Sequence, residues 1–458
     1  MVIKNYNFIL IFIGILLLGF FFRYHNNFYE GFWSDEILTL IISNPSNSQE
    51  EMIKNWWKHD GSPIIYFYLV KYYLYLFGFS PENIRSVSII FSFLTILISF
   101  KFFSIRYKNE FLLSSIFLLA INIFLIWQSK EARIPSTVSF FSISNIIFFY
   151  FFLKKQTLLN FILLFIFNLF LINYYPFTVT ILFSQFLYLC FLNLKFKQII
   201  QYSFLYLSII LIYIFLNYEY LQLHGSRGLG HIGVINYKFF LNYFFSSYFG
   251  TYFFGGISLI LFAISFLKNL IKKIDKRDII YFHILIVLNT YLFLILYTLF
   301  KTEIAVPRYF IFLIPSIIFI IIDLFKSEKL KKYLYLFLVI ALANSFYGIQ
   351  KGRIPKPPIK ELVSNLSLEK SKIILHNEEW FDIYLENSKK INRSYKIINK
   401  KDAINYDKIW FVCFNNIRAD RGNSLSLSDE KKCNYNLENF KIVQKIEIPD
   451  FKIILFSK

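Results

Sequence analysis

The sequence has 458 residues, 56% of them hydrophobic and 21% aromatic, with 49 Lys and Arg against 29 Asp and Glu for a net charge of +20. A mean hydropathy of +0.50 excludes a water-soluble domain of this size. The positive charge does not point to nucleic acid, because the Lys and Arg residues fall in short clusters between apolar runs and not in one basic stripe.

Apolar runs near or above the length of a bilayer-crossing helix lie at about 7–22, 86–104, 111–127, 136–153, 157–172, 177–194, 199–216, 251–267, 279–300, 309–325 and 333–349. They predict an all-α polytopic membrane protein of about 11 transmembrane helices. The first run has only Lys4 before it and no small-residue cleavage site after it, so it reads as a retained helix. The segment Pro63 to Gly78 is apolar but short, aromatic and interrupted by Lys71. Counting it as a span would invert every later loop, so it is expected to be an interfacial helix within an outer first loop, 23–85.

With that assignment Arg106 and Lys108, Lys154 and Lys155, Lys195 and Lys197, the cluster from Lys268 to Arg277, and Lys326 to Lys332 share one side. The positive-inside rule makes that side cytoplasmic, with the N-terminus, and suggests a bacterial inner membrane. The other side receives Asp35 and Glu36, the Gln128 to Pro135 loop, Tyr174 to Phe177, the Asn217 to Lys238 loop, the Lys301 to Arg308 turn and the C-terminus. After IPKPPIK the composition turns polar, and the runs KIILH, KIWFVCF, KIVQKIEI and FKIILF read as strands. With a helix-like stretch at 359–366, they predict a small extracytoplasmic α/β domain over 351–458, following a transmembrane domain over 1–350. Cys413 and Cys433 are candidates for a disulfide there.

The stretch FWSDEILTL sets Asp35 and Glu36 at a membrane edge. They fit either a helix cap favoured by the positive N-terminal end of the helix or a general base facing a surface site. One chemistry that needs a single base is attack by an acceptor hydroxyl or amine on a sugar carried by polyprenyl phosphate. The phosphate leaves without a proton, unlike the alkoxide of glycoside hydrolysis, but requires positive charge. Arg85, Arg133, Arg227 and Arg308 are the outer-side cations available. HDGSP, with His59 and Asp60, reads as a turn before a helix or as support for a divalent cation. HGSRGLGHIG, with His224 and His231, has glycines without the strand-to-helix context of a nucleotide loop, and reads as a flap.

Taken in order, FWSDEILTL, HDGSPIIYFYLVKYYLYLFG with Arg85 opening the next span, WQSKEARIPS and PRYFIFLIP resemble the motifs of the GT-C glycosyltransferases, in particular the superfamily of dolichyl-phosphate-mannose protein mannosyltransferases and aminoarabinose transferases. The resemblance implies a GT-C-like membrane domain over residues 1 to 350. It implies Asp35 as base, Glu36 as positioning acid or metal ligand, Arg133, Arg308 and Arg85 as donor-phosphate contacts, and Glu131, His59 and Asp60 in support. The substrates it implies are a polyprenyl-phosphate-linked sugar and a lipid, glycan or protein acceptor; no cofactor is required beyond a possible divalent cation. Ile134, Pro135 and Ser136 stand where the family often has an aromatic residue, and a single Pro63 replaces a common pair. A lipid-linked glycan flippase or transporter, expected to carry mid-span ionisable groups and repeated halves, and a GT-C-type polysaccharide polymerase are the alternative readings.

Overall fold

In the computed structural model of the chain, the structure describes residues 2–25, 34–59, 63–192, 196–225, 244–271, 278–301, 304–351, 366, 373–376, 396–398, 400–414, 437, 439–448 and 451–458. The chain forms two units. One comprises Met1–His25, Gly61–Leu76 and Asn83–Arg353, the other Asn26–Asp60, Phe77–Glu82 and Ile354–Lys458.

The helices in chain order are α1 (Val2–Tyr24), α2 (Ser34–Ile42), α3 (Gln49–His59), α4 (Ile64–Phe77), α5 (Pro81–Ser104), α6 (Asn109–Ala120), α7 (Ile123–Ser129), α8 (Pro135–Lys154), α9 (Leu158–Tyr174), α10 (Val179–Phe191), α11 (Phe196–Leu216), α12 (Tyr218–Gly225), α13 (Phe245–Phe249), α14 (Tyr252–Ile271), α15 (Ile280–Phe300), α16 (Leu313–Phe325) and α17 (Glu328–Lys351). Among the described residues, seven are long and apolar enough to cross a membrane, and α6 with α7 makes an eighth span bent by 48°. Leu158–Tyr174, Pro176–Phe191 and Leu313–Phe325 are shorter apolar helices. Every expected apolar run is therefore helical, divided into long helices, one bent pair and short ones, and the chain is an integral membrane protein.

The bend in the third expected span has a local cause. Asn122 interrupts the helix and recaps it, its side chain accepting from the Leu125 backbone N–H at 3.0 Å. The break frees carbonyls in an apolar interior, where each must find a donor. Arg23 Nη1 donates to the Ala120 carbonyl at 2.6 Å, and Ser345 Oγ to the Ile121 carbonyl at 2.6 Å. Arg23 is 1% exposed, and Gly19 O and Ser92 Oγ also accept from it. Gly348 lets α17 approach this break, since a Cβ there would stand 2.7 Å from Ile123 Cγ1.

α1 and α5 run antiparallel, with Phe20 on Phe93 and Phe12 on Phe100. The chain thus leaves α1 and enters α5 at the same end of the bundle, so α4 makes no net crossing. α4 buries Tyr66, Phe67, Val70 and Leu74 along one face. At the centre, every residue of α16 is buried, against α6, α14, α15 and α17. Between α8, α9 and α10, three amides close a ring. Asn145 donates to Asn168 (2.7 Å), Asn168 to Gln185 (3.0 Å) and Gln185 back to Asn145 (2.6 Å).

The end opposite the α1–α5 connection is held by charge. Arg106 pairs with Asp323 at 2.7 Å and with Asp278, and Lys268 donates to the Asp323 carbonyl at 3.4 Å. Burial works against both charges of the Arg106–Asp278 pair, yet their hydrogen bond prevails, raising the Arg106 pKa and lowering that of Asp278. Because the Asp278 pKa is depressed on folding, its contribution is present at neutral pH and is lost as the pH falls through and below the ordinary carboxylate range.

In the second unit, α3 starts on a capping box: Ser48 Oγ accepts from the Glu51 N–H at 3.1 Å and Glu51 accepts from the Ser48 N–H at 2.8 Å. The four expected strands form as β1 (Ile373–His376), β3 (Lys408–Phe414), β4 (Lys441–Ile448) and β5 (Phe451–Ser457), joined by a short β2 (Lys396–Ile397). The sheet order is β2-β1-β3-β5-β4. β1 is parallel to β2 and β3, and β5 is antiparallel to β3 and β4. Ile409, Phe411, Cys413, Ile454 and Phe456 alternate onto one face and build its core. Cys413 is disulfide-bonded.

Arg106→Leu leaves two carboxylates without their shared cation. It should cost about 3 kcal/mol, read as a lower melting temperature of the detergent-solubilised protein, and Asp278→Asn with Asp323→Asn in the same chain should restore most of the loss.

Candidate active site

α2 opens with Asp35 and Glu36 in its first turn, where the helix end favours negative charge. The two acids then differ. Glu36 is 0% exposed, on the face that carries Leu40 and Ser43, whereas Asp35 stays half-buried. Of the pair, Asp35 is the more exposed carboxylate and Glu36 is fully buried. The cap and base readings are compatible, because a helix N-terminus favours a negative charge in its first turn whichever role that carboxylate has.

The arginines belong to the other unit. After α7 the chain turns at Glu131, Ala132 and Arg133, with the Arg133 N–H donating to the Glu131 carbonyl at 2.8 Å. Pro135 then starts α8, where its missing N–H and fixed φ cost nothing. That explains the departure at Ile134, Pro135 and Ser136: the helix begins immediately after the arginine. Ser88 Oγ donates to the Arg133 carbonyl at 3.4 Å. Arg85, one turn before Ser88 on α5, is 2% exposed, and Glu131 is 4% exposed. Arg85 and Arg133 thus sit on adjoining elements.

Arg308 lies in a 3-10 turn, Pro307–Phe310. Tyr248 fixes that turn, its hydroxyl donating to the Phe310 carbonyl at 3.1 Å. The Arg308 guanidinium stands 5.7 Å from the Tyr309 ring centroid, and Tyr309 stacks on Phe177 at 5.3 Å and 15°. On the other flank, Tyr174 donates to Thr137 Oγ1 of α8 at 2.5 Å. Tyr175, in contact with Phe177 at 5.5 Å, is held between these two flanks. Burial first, and then Tyr309, push its hydroxyl well above the ordinary phenol range, while Arg308 and Arg133 both pull it down. Arg133 and Arg308, 175 positions apart in sequence, therefore act on one phenol.

One further group stands out. Gln128, on the last turn of α7, is 0% exposed, and neither its Nε2 nor its Oε1 has a hydrogen-bond partner; Ser136 Oγ shares that condition. Each such atom costs about 1–3 kcal/mol. Tyr175, Tyr248 and Gln128 were not singled out in the sequence. Tyrosine is too common in this chain to be informative alone, and Gln128 has no charge or spacing to mark it.

In the bundle unit Arg133 and Arg308 both influence the Tyr175 phenol electrostatically, and Arg85 lies one turn before Ser88, which bonds the Arg133 carbonyl; in the other unit the half-buried Asp35 stands at a helix start. The first set suits an anion such as a phosphate diester; the second suits proton abstraction. Asp60, Arg227, His231 and Cys433, with the side chains of His59 and His224, lie outside the described residues. Among the described residues no three His, Cys, Asp or Glu side chains gather as metal ligands.

No family model matches the sequence, and no curated protein does. Solved structures do match. ArnT from Cupriavidus metallidurans in its apo state superposes with a TM-score of 0.59 at 8% identity, covering 99% of this chain and 98% of that one. ArnT of the same organism bound to undecaprenyl phosphate gives 0.57 at 10% identity, with the same coverage. The oligosaccharyltransferase of Archaeoglobus fulgidus gives 0.51 at 11%, covering 84% of this chain and 64% of that one. At such identities the likeness speaks to architecture, and it spans nearly the whole chain: the protein has the fold of the GT-C glycosyltransferases.

Proposed function

We propose that the protein is an inverting glycosyltransferase that moves a sugar from a polyprenyl-phosphate donor to a lipid, glycan or protein acceptor at the extracytoplasmic face. The observation that carries this reading is the GT-C fold of the chain, with Arg133 in the turn before α8 and Arg308 in the 3-10 turn before α16 supplying cations in its bundle unit. Both guanidiniums are half-exposed and chemically suited to an anion, and the likeness to an ArnT bound to undecaprenyl phosphate suggests which anion.

In this mechanism Arg133, Arg308 and Arg85 hold the donor phosphate, and Glu131 orients Arg133. Asp35 takes the proton from the acceptor hydroxyl or amine as that atom attacks the anomeric carbon from the face opposite the phosphate. The carbon–oxygen bond to phosphate breaks, and its electron pair stays on the phosphate, where the guanidiniums stabilise the growing charge. Attack from the opposite face inverts the anomeric centre. Glu36 orients Asp35 from the buried side of α2. The disulfide at Cys413 supports an oxidising, extracytoplasmic setting for its sheet. The neutral amide ring of Asn145, Asn168 and Gln185 favours a structural interior over an ion pathway, which weighs against a transporter.

With purified protein in liposomes and a glycosylated undecaprenyl phosphate as donor, Asp35→Asn should lower kcat by about a thousandfold with little change in the donor KM. Arg133→Ala and Arg308→Ala should each raise the donor KM by about tenfold or more, because each removes a charged hydrogen bond, and leave the acceptor KM near the wild-type value. Wild-type kinetics in Asp35→Asn would end the assignment of the base, and equal effects on both substrates would end the phosphate role.

A further inference from the structure

We infer that Gln128 reads the sugar of the lipid-linked donor. This inference rests on the transferase reading and adds the group that recognises the transferred residue. Its carboxamide is the one side chain among the described residues with two buried polar atoms that both lack a hydrogen-bond partner. Buried amides are nearly always paired, so the exception asks for a ligand.

Position supports the assignment. Gln128 and Phe124 are four residues apart on α7 and share a face of the helix. Phe124 packs on Tyr248 with ring centroids 5.5 Å apart, and Tyr248 donates to the Phe310 carbonyl in the turn that carries Arg308. In the other direction the Gln128 carbonyl accepts from the Glu131 N–H at 3.4 Å, opening the turn to Arg133. Gln128 therefore sits on the helix turn that leads directly into Arg133, and the same helix touches, through Phe124, the tyrosine that fixes the Arg308 turn. Ser136 Oγ, buried and without a partner on the first turn of α8, extends the same polar patch.

Chemistry narrows the occupant. Oε1 needs a donor and Nε2 an acceptor. A phosphate diester only accepts, and a prenyl chain does neither. A hydroxyl does both, and neighbouring hydroxyls on one ring meet the two ends of a carboxamide together. Because the amide is fully buried, a sugar reaches it by displacing side chains now packed over it, so recognition is coupled to a local opening.

The test compares binding of bare undecaprenyl phosphate with binding of undecaprenyl phosphate carrying hexoses, pentoses or an amino sugar, together with the corresponding free sugars. Full-length protein in detergent is followed by its melting shift and by Kd. In the wild type, at least one glycosylated lipid should bind about tenfold tighter than the bare lipid, as expected for one or two hydrogen bonds. Gln128→Met should lose that gain, bind the bare lipid as before, and melt no lower than the wild type, since it removes two unpaired buried atoms. Gln128→Leu serves as a second variant should the first misfold. If both proteins gain equally from the sugar, or the wild type gains from none, the role of Gln128 is overturned while the donor reading stands. A free sugar that binds as well without the lipid overturns the donor assignment of the site. If the wild type binds no undecaprenyl phosphate at all, the transferase reading fails first, and the inference with it.

Discussion

Placing a guanidinium inside an apolar bundle is the costliest step in this fold, and much of the architecture follows from how each arginine is met. Arg23 is met by backbone: it takes up the carbonyls released where the span of α6 and α7 breaks, and so the bend and the buried charge stabilise each other. Arg106 is met by two aspartates and ties the ends of α5, α15 and α16 at one end of the bundle. Arg133 and Arg308 are brought to one tyrosine at the other end. The first two arrangements tie helices together, and the third is where we place the substrate phosphate.

The division between the two ends also explains the long first loop. Because α1 and α5 are antiparallel neighbours, the chain between them returns to the end of the bundle where it left. Helix starts are the natural place for an ionised acid beside an apolar surface. The sequence around Ser34 to Glu36 supplies one, with Glu36 turned inward and Asp35 outward along the same helix turn.

Most of the helices could be read from hydropathy, since a run of Leu, Ile and Phe between lysine clusters has few alternatives in a bilayer. What hydropathy missed were interruptions. Asn122 in the run LAINIF was the only mark of the 48° bend, and an averaged window hides one residue. The strands at 373–376, 408–414, 441–448 and 451–457 were visible as short β-branched and aromatic runs. Their mixed order was not, because register and neighbour choice depend on contacts far apart in sequence. At the candidate site, charge is what singled out Asp35, Arg133 and Arg308 in the sequence. Tyr175 and Gln128 became legible only in three dimensions, where a buried phenol feels the charge of two arginines distant in sequence and a neutral amide has nothing to bond.

The central claim is that Asp35 is the base of a lipid-linked sugar transfer. The most direct measurement is mass spectrometry of envelope lipids, glycans and glycoproteins from cells expressing the wild-type protein or Asp35→Asn at matched levels. The account predicts that one sugar disappears from one acceptor in the variant while its polyprenyl-phosphate donor accumulates. Unchanged glycoconjugates and donor pools would contradict it and leave Asp35 as the cap of α2.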